Sequence, residues 1–286
     1  MGKLIAALGM TGFLLTTPAA AGVIFSTGNP DGRIATLSRP ASGGALETET
    51  ADDFILGQNA MITGATFIGL LPTGASLSTI QDVEIELYHV FPADSTNPPS
   101  GKVPTRVNSP SDTNFGPSFD FGACNPSNCT ATILNPMFAA ANSVVNGIHP
   151  SPNQTTGGEG AVSGEEVLFT INFATPFLVG AMDHDFFRPE VALSSGNFLW
   201  LSAPKPIVGG TGPFTGDLQA WIRNDGVGAI GPDWLRIGTD IVGGATPPTF
   251  NMTFSLIGQT VPEPATLALL GVGLAGLGFS RRRKSN

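Results

Sequence analysis

Two aspartates, two cysteines and three tryptophans are the residues whose types and spacing could do chemistry. Asp183 and Asp185 flank His184. In an extended segment, residues two apart point to one side about 7 Å apart, so this pair could share a hard cation such as Ca2+. Calcium wants about six to eight oxygens, which makes the pair a fragment of a site, with a hydrated turn as the plainer alternative. Cys124 and Cys129 enclose Asn125-Pro126-Ser127-Asn128, turn formers that bring the chain ends together. In an oxidising compartment this spacing predicts a local disulfide, and no nearby histidine pair completes a zinc set around it. Trp200, Trp221 and Trp234 offer flat faces on which sugar rings could stack, or else they fill the core.

Motifs for catalysis are missing from the sequence. It contains no Gly-x-Ser-x-Gly elbow, no His-Glu-x-x-His zinc helix and no phosphate loop. His89 lies in an alternating stretch, His149 precedes Pro150 and His184 sits between two aspartates; packing or solvation accounts for all three. Asp52-Asp53 reads as a turn cap, and Glu84 with Glu86 as the wet face of a strand. Glycoside hydrolysis with retention needs two carboxyls about 5 Å apart across a cleft, and no spacing here specifies such a pair. The sequence therefore predicts no catalytic residue and no cofactor beyond the candidate Ca2+. A carbohydrate-binding module and a calcium-dependent hydrolase stand as alternatives to a non-enzyme.

The elements that must position these residues are strands. In the segment from Val83 to Phe91 apolar side chains recur at the odd positions, and Val167, Phe169, Ile171 and Phe173 repeat the pattern, as do Phe250, Met252, Phe254 and Leu256. Short apolar runs at 61–71, 186–193, 198–201, 219–222 and 234–237 are bounded by Gly, Pro, Asn or Asp. The expected fold is all-β, a jelly-roll-like two-sheet sandwich over 22–259. One helix is predicted, with Asn135 as cap, Pro136 in the first turn and 137–145 as its body. The stretch 92–164, rich in Pro, Ser, Asn, Gly and Thr, is expected to be a loop-rich excursion carrying the cysteine pair.

Composition narrows the partners. The chain has 37 Gly, 24 Pro, 12% charged and 41% hydrophobic residues, enough apolar content for a core and unlike a disordered polymer. Its net charge of -9 includes Lys3, Arg281, Arg282, Arg283 and Lys284, so the region between the ends is more acidic still. Such a surface repels phosphate backbones, and nucleic acid is excluded as a partner.

Both ends read as export signals. Lys3 starts a positive segment, 4–15 is apolar, and Ala19-Ala20-Ala21 is a small-residue cleavage site, which makes 1–21 a secretory signal peptide. At the other end Pro262-Glu263-Pro264 precedes an apolar run over 265–279, counted with Ser280 as a membrane segment 265–280, and then Arg281, Arg282, Arg283 and Lys284. The apolar run holds the chain in a bilayer, and the cationic cluster resists translocation. It is about a turn short of the ~20 residues of a comfortable membrane span, which suits a temporary docking helix more than a permanent anchor.

This tripartite 260–286 tail resembles the PEP-CTERM sorting domain of Gram-negative bacteria, with Pro262-Glu263-Pro264 as its signature. The resemblance implies recognition and removal by an exosortase-like membrane enzyme, transient residence in the inner membrane, and delivery to the cell surface or an extracellular polysaccharide matrix. Gly28-Asn29-Pro30-Asp31-Gly32, Glu49-Thr50-Ala51-Asp52-Asp53-Phe54, Glu84-Ile85-Glu86-Leu87-Tyr88, Val90-Phe91-Pro92 and Phe198-Leu199-Trp200-Leu201-Ser202 are similar to segments recurring in exported proteins with such tails. That similarity implies architecture and brings no catalytic residue.

Overall fold

The computed structural model describes residues 21–95, 101, 103–145, 155–204, 206, 216–224, 233–261 and 273, and the chain is mostly β, arranged as two curled sheets. Nine strands form the larger sheet: β1 (Gly22–Ser26), β2 (Ile34–Leu37), β4 (Ala60–Pro72), β8 (Cys129–Ala140), β9 (Asn142–Val144), β10 (Val162–Val179), β12 (Leu199–Ala203), β15 (Asn251–Met252) and β16 (Phe254–Thr260). β4 is its spine, with β10 and then β8 on one side, and β16 and β12 sharing the other. β1 flanks β16, and β2 continues from β12 to a parallel pairing with β9. The smaller sheet runs β14 (Leu235–Arg236), β13 (Trp221–Asn224), β3 (Thr48–Ile55), β11 (His184–Leu193), β5 (Ile80–Val90), with β6 (Pro110–Asn114) and β7 (Phe119–Asp120) both on the outer side of β5.

Alternation decides which side chains enter the core. Val83, Ile85 and Leu87 of β5 are buried together with Val167, Phe169 and Ile171 of β10, as the two-residue period requires. The sheets meet through aromatic rings: Phe187 of β11 stacks on Phe254 of β16 at 5.0 Å, while Phe67 stacks on Phe169 within the larger sheet at 4.7 Å. Burying such rings is the main favourable term for this fold. Gly69 allows β4 and β12 to close up, because a Cβ there would collide with the Phe198 ring and the Leu199 carbonyl.

The helix expected from Asn135 does not form. Residues 135–140 extend in β8 and pair with β10, Gly164 opposite Phe138 and Val162 opposite Ala140. The local signals are present, since Asn135 Oδ1 accepts the Met137 N–H. A cap is worth about 0.5–2 kcal/mol, and the long ladder with β10 outweighs it. The register shift opposite Glu166 absorbs Pro136, which has no N–H to donate. Val144 then enters the core from β9.

The loop-rich excursion expected over 92–164 is likewise corrected: β6, β7, β8 and β9 all lie inside it. Gly, Ser and Asn there mark turns between short strands. Among the described residues no helix is long and apolar enough to cross a membrane. The predicted membrane segment 265–280 lies outside them apart from Gly273, and the signal peptide apart from Ala21.

Candidate functional site

The smaller sheet buries both of its faces, which explains why charge collects inside it. β3 and β11 are buried along nearly their whole length. Their even or odd partners away from the core place Glu49 opposite Arg223, Arg188 opposite Glu86, and Glu190 opposite Glu84. Residues 106–112 and 233–234 close over the Glu49–Arg223 end of this face, where Arg223 donates to the Asp112 carbonyl at 3.4 Å. Arg106 donates to Asp112 at 2.7 Å and to Asp233 at 2.6 Å, and Trp234 Nε1–H donates to the Ser111 carbonyl at 3.3 Å.

Beneath that cover, Arg188 and Arg223 organise the carboxylates. Arg223 grips Glu49 through two nitrogens, with its Nη2 3.0 Å from Oε1, and its guanidinium lies 4.5 Å from the centre of the Trp234 ring. Arg188 reaches Glu86 at 2.6 Å and Glu49 at 3.0 Å, and also pairs with Glu190. The Tyr88 hydroxyl is 2.9 Å from Glu49 and 2.6 Å from Glu86, yet its single proton serves one carboxylate at a time.

These contacts push the carboxyls apart. Burial would raise the Glu49 carboxyl, but Arg223 and Arg188 outweigh it and hold it at about 2. For Glu190 burial prevails over Arg188, and Glu49, Glu47 and Glu84 add repulsion, so it lies well above the usual carboxylate range. Its Oε1 has no hydrogen-bond partner among the described residues. Glu84 is raised to about 7, by burial first, with Arg188 opposing and Asp82 and Asp120 adding to the rise. Separated carboxyl pKa values are a pattern of acid–base catalysis. Here Glu49 and Glu190 are 2% and 0% exposed, out of a substrate's reach. The arrangement acts as an ionic clamp across β3, β5, β11 and β13.

Two histidine–aspartate pairs stand at one end of the same sheet. His89 Nδ1 is 2.6 Å from Asp185 Oδ1, and its ring stacks on Phe115 at 3.9 Å; that hydrogen bond raises the imidazole above its ordinary value. His184 Nε2 is 2.6 Å from Asp53 Oδ2. Burial raises Asp185 and Asp53 against the pull of their histidines, so each carboxylate is held in place by its hydrogen bond more than by charge.

The residues singled out from sequence land as follows. Cys124 and Cys129 form a disulfide. Asp183 lies in the turn before β11 and accepts the Gly180 N–H, while Asp185 turns to His89. Both line a surface hollow of about 430 Å³, but among the described residues no group of three or more His, Cys, Asp or Glu is placed to hold a metal. Trp200, Trp221 and Trp234 are at most 2% exposed, so no ring is free to stack on a sugar. Asp52-Asp53 caps no turn; both lie within β3, where Asp52 accepts the Met252 N–H. Glu84 and Glu86 lie on one face of β5 and are part-exposed; Glu86 accepts from the Ser118 hydroxyl at 2.7 Å and pairs with Arg188. Arg188, Arg223, Glu49 and Glu190 were missed. The available signal was Arg188 and Glu190 set at the alternate positions of an otherwise apolar strand.

The chain end is placed by β16, which is paired on both sides, with Thr260 opposite Ala60 of β4 and Gly258 opposite Gly22 of β1. The Val261 N–H donates to the Asn59 carbonyl at 2.7 Å. Val261 directly precedes Pro262-Glu263-Pro264; that tripeptide and the basic cluster 281–284 lie outside the described residues, as does His149. No curated protein and no solved structure matches the chain. Residues 260–284 match the PEP-CTERM protein-sorting motif, and the chain thus carries a signal for export and cell-surface sorting through an exosortase-type enzyme.

Proposed function

We propose that this chain is a non-catalytic protein of the cell surface or extracellular matrix of a Gram-negative bacterium. A signal peptide at 1–21 exports it, a jelly-roll-like sandwich over 22–259 is its working body, and the sorting tail is removed beyond Val261 during passage through the inner membrane. One observation carries the reading: the sorting-motif match at 260–284 begins where β16 ends, so the signal is appended to a finished domain and can be cut without unravelling it. Burial of the ion network and of the tryptophans supports a structural or adhesive duty, with extracellular polysaccharide as the surrounding partner.

The test is the C-terminal peptide of protein isolated from the surface of its native host. Loss of Arg281-Arg282-Arg283-Lys284-Ser285-Asn286 is expected; stoichiometric recovery of the intact peptide would replace processing by permanent anchoring. Replacing Pro262, Glu263 and Pro264 with alanine should leave unprocessed protein in the inner membrane, since the prolines keep the segment from joining the apolar helix.

A further inference from the structure

Exposed apolar side chains gather at the end of the body from which the tail departs. Leu178, Met182 and Val261 are 58%, 70% and 38% exposed, and strand registers bring them together. Val179 and Thr260 both stand opposite Ala60, and Leu178 stands opposite Met61. Asn59 joins the other two: its carbonyl accepts the Val261 N–H, and its side chain accepts the Ala181 N–H beside Met182. Met182 is held at the turn tip with φ +64°, a conformation uncommon for a residue with a Cβ. That turn presents a long flexible apolar chain to solvent where a polar residue or glycine would be easier.

Chain length says what covers this end. Only Pro262, Glu263 and Pro264 separate Val261 from the apolar run that starts at Ala265, and the four residue steps between Val261 and Ala265 reach at most about 14 Å. The headgroup layer on each side of a bilayer is itself about 5–8 Å thick. With the apolar run in the hydrocarbon, Val261 cannot stand far above the headgroups. We infer that the Leu178–Met182–Val261 end is a membrane-docking surface: in the precursor it rests on the lipid headgroups and holds the Pro262-Glu263-Pro264 segment at a fixed height above the bilayer. Met182 and Leu178 reach into the interface as unbranched or flexible apolar chains do. Asp183, the exposed acid of the turn, folds back onto the Gly180 N–H and so offers less charge to the surface. The inference rests on the sorting reading, because the tail supplies the tether.

The test uses the full-length chain reconstituted in vesicles of phosphatidylethanolamine and phosphatidylglycerol. A photoreactive benzoylphenylalanine replaces Leu178, Met182 or, as a control, Ile133, which is 40% exposed in β8. Irradiation should give several-fold more lipid adduct from positions 178 and 182 than from 133. Equal yields at all three, or cross-links from 178 and 182 to a second copy of the chain in place of lipid, overturn the docking. Sorting is read separately, from the C-terminal peptide in the native host. A processed tail without lipid adducts defeats docking alone, and lipid adducts with an intact tail at the surface defeat the sorting reading alone.

Discussion

Gly22 and Gly258 face each other across the antiparallel ladder of β1 and β16. The residue that follows the expected signal-peptide cut and the strand that leads into the sorting tail thus share one end of one sheet. β1 is held there chiefly by Phe25, whose ring lies 5.2 Å from Phe254 and 5.9 Å from Phe54.

Phe25→Ala should accordingly loosen the chain end first. The ring is only half-buried, so the cost should fall below the ~3–5 kcal/mol of a core phenylalanine, at about 2 kcal/mol. Hydrogen exchange should show the β16 amides losing protection ahead of those of β10. Uniform loss across both strands would show that β1 is integral to the global unit.

The disulfide closes a short loop at the start of β8, with a sequence separation of 5 and a Cα–Cα distance of 4.7 Å. The Cys129 N–H already donates to the Asn125 carbonyl at 2.9 Å, so the turn persists without the bridge. Replacing both cysteines with alanine should cost about 2 kcal/mol on loop-entropy grounds. Chemical denaturation measures it; no change in midpoint would mean that the reduced chain keeps the loop closed when unfolded.

Within the ionic clamp, Arg223→Met should be destabilising, by roughly 2–4 kcal/mol, since it leaves the buried Glu49 with only Arg188 and the Tyr88 hydroxyl to balance it. Adding Glu49→Gln should restore much of that loss, because the under-balanced charge goes with it. A double-mutant cycle from denaturation curves decides the matter. Additive effects would show that the pair does not act as a unit.

The parts of this fold legible in sequence were those set by local alternation. Val83, Ile85 and Leu87, or Val167, Phe169 and Ile171, announce a buried face by their period alone. The 135–140 strand was not legible, because Asn135 and Pro136 carry true helix-start signals and the ladder that overrides them comes from β10, some thirty residues away. The ionic clamp was hidden for a related reason. Glu86 reads as the solvated acid of a strand until Arg188, far off in the sequence, is known to pair with it. The sorting tail was readable at once, since its chemistry is linear and needs no fold.

Glu84 and Glu49 bend the pH dependence of stability in opposite directions. Glu84 is raised from 4.5 to about 7, so between those values the folded chain keeps a proton that the unfolded chain has shed. Stability from this group therefore falls as pH rises through that window. Glu49 is lowered from 4.5 to about 2; its contribution is present above 4.5 and is lost as pH falls toward 2. Glu84 is part-exposed, and solvent screening weakens its share. Together they predict greatest stability in mildly acidic solution, with a shallow decline toward pH 8 and a steep one below pH 4. Glu84→Gln should make the alkaline side shallower, with Glu190 and His89, both raised, sustaining the rest of the decline, and leave the acid limb unchanged. Melting temperatures measured from pH 3 to 9 on both proteins test this, and a Glu84→Gln profile that still declines between pH 5 and 8 as steeply as the parent would assign that decline to other groups.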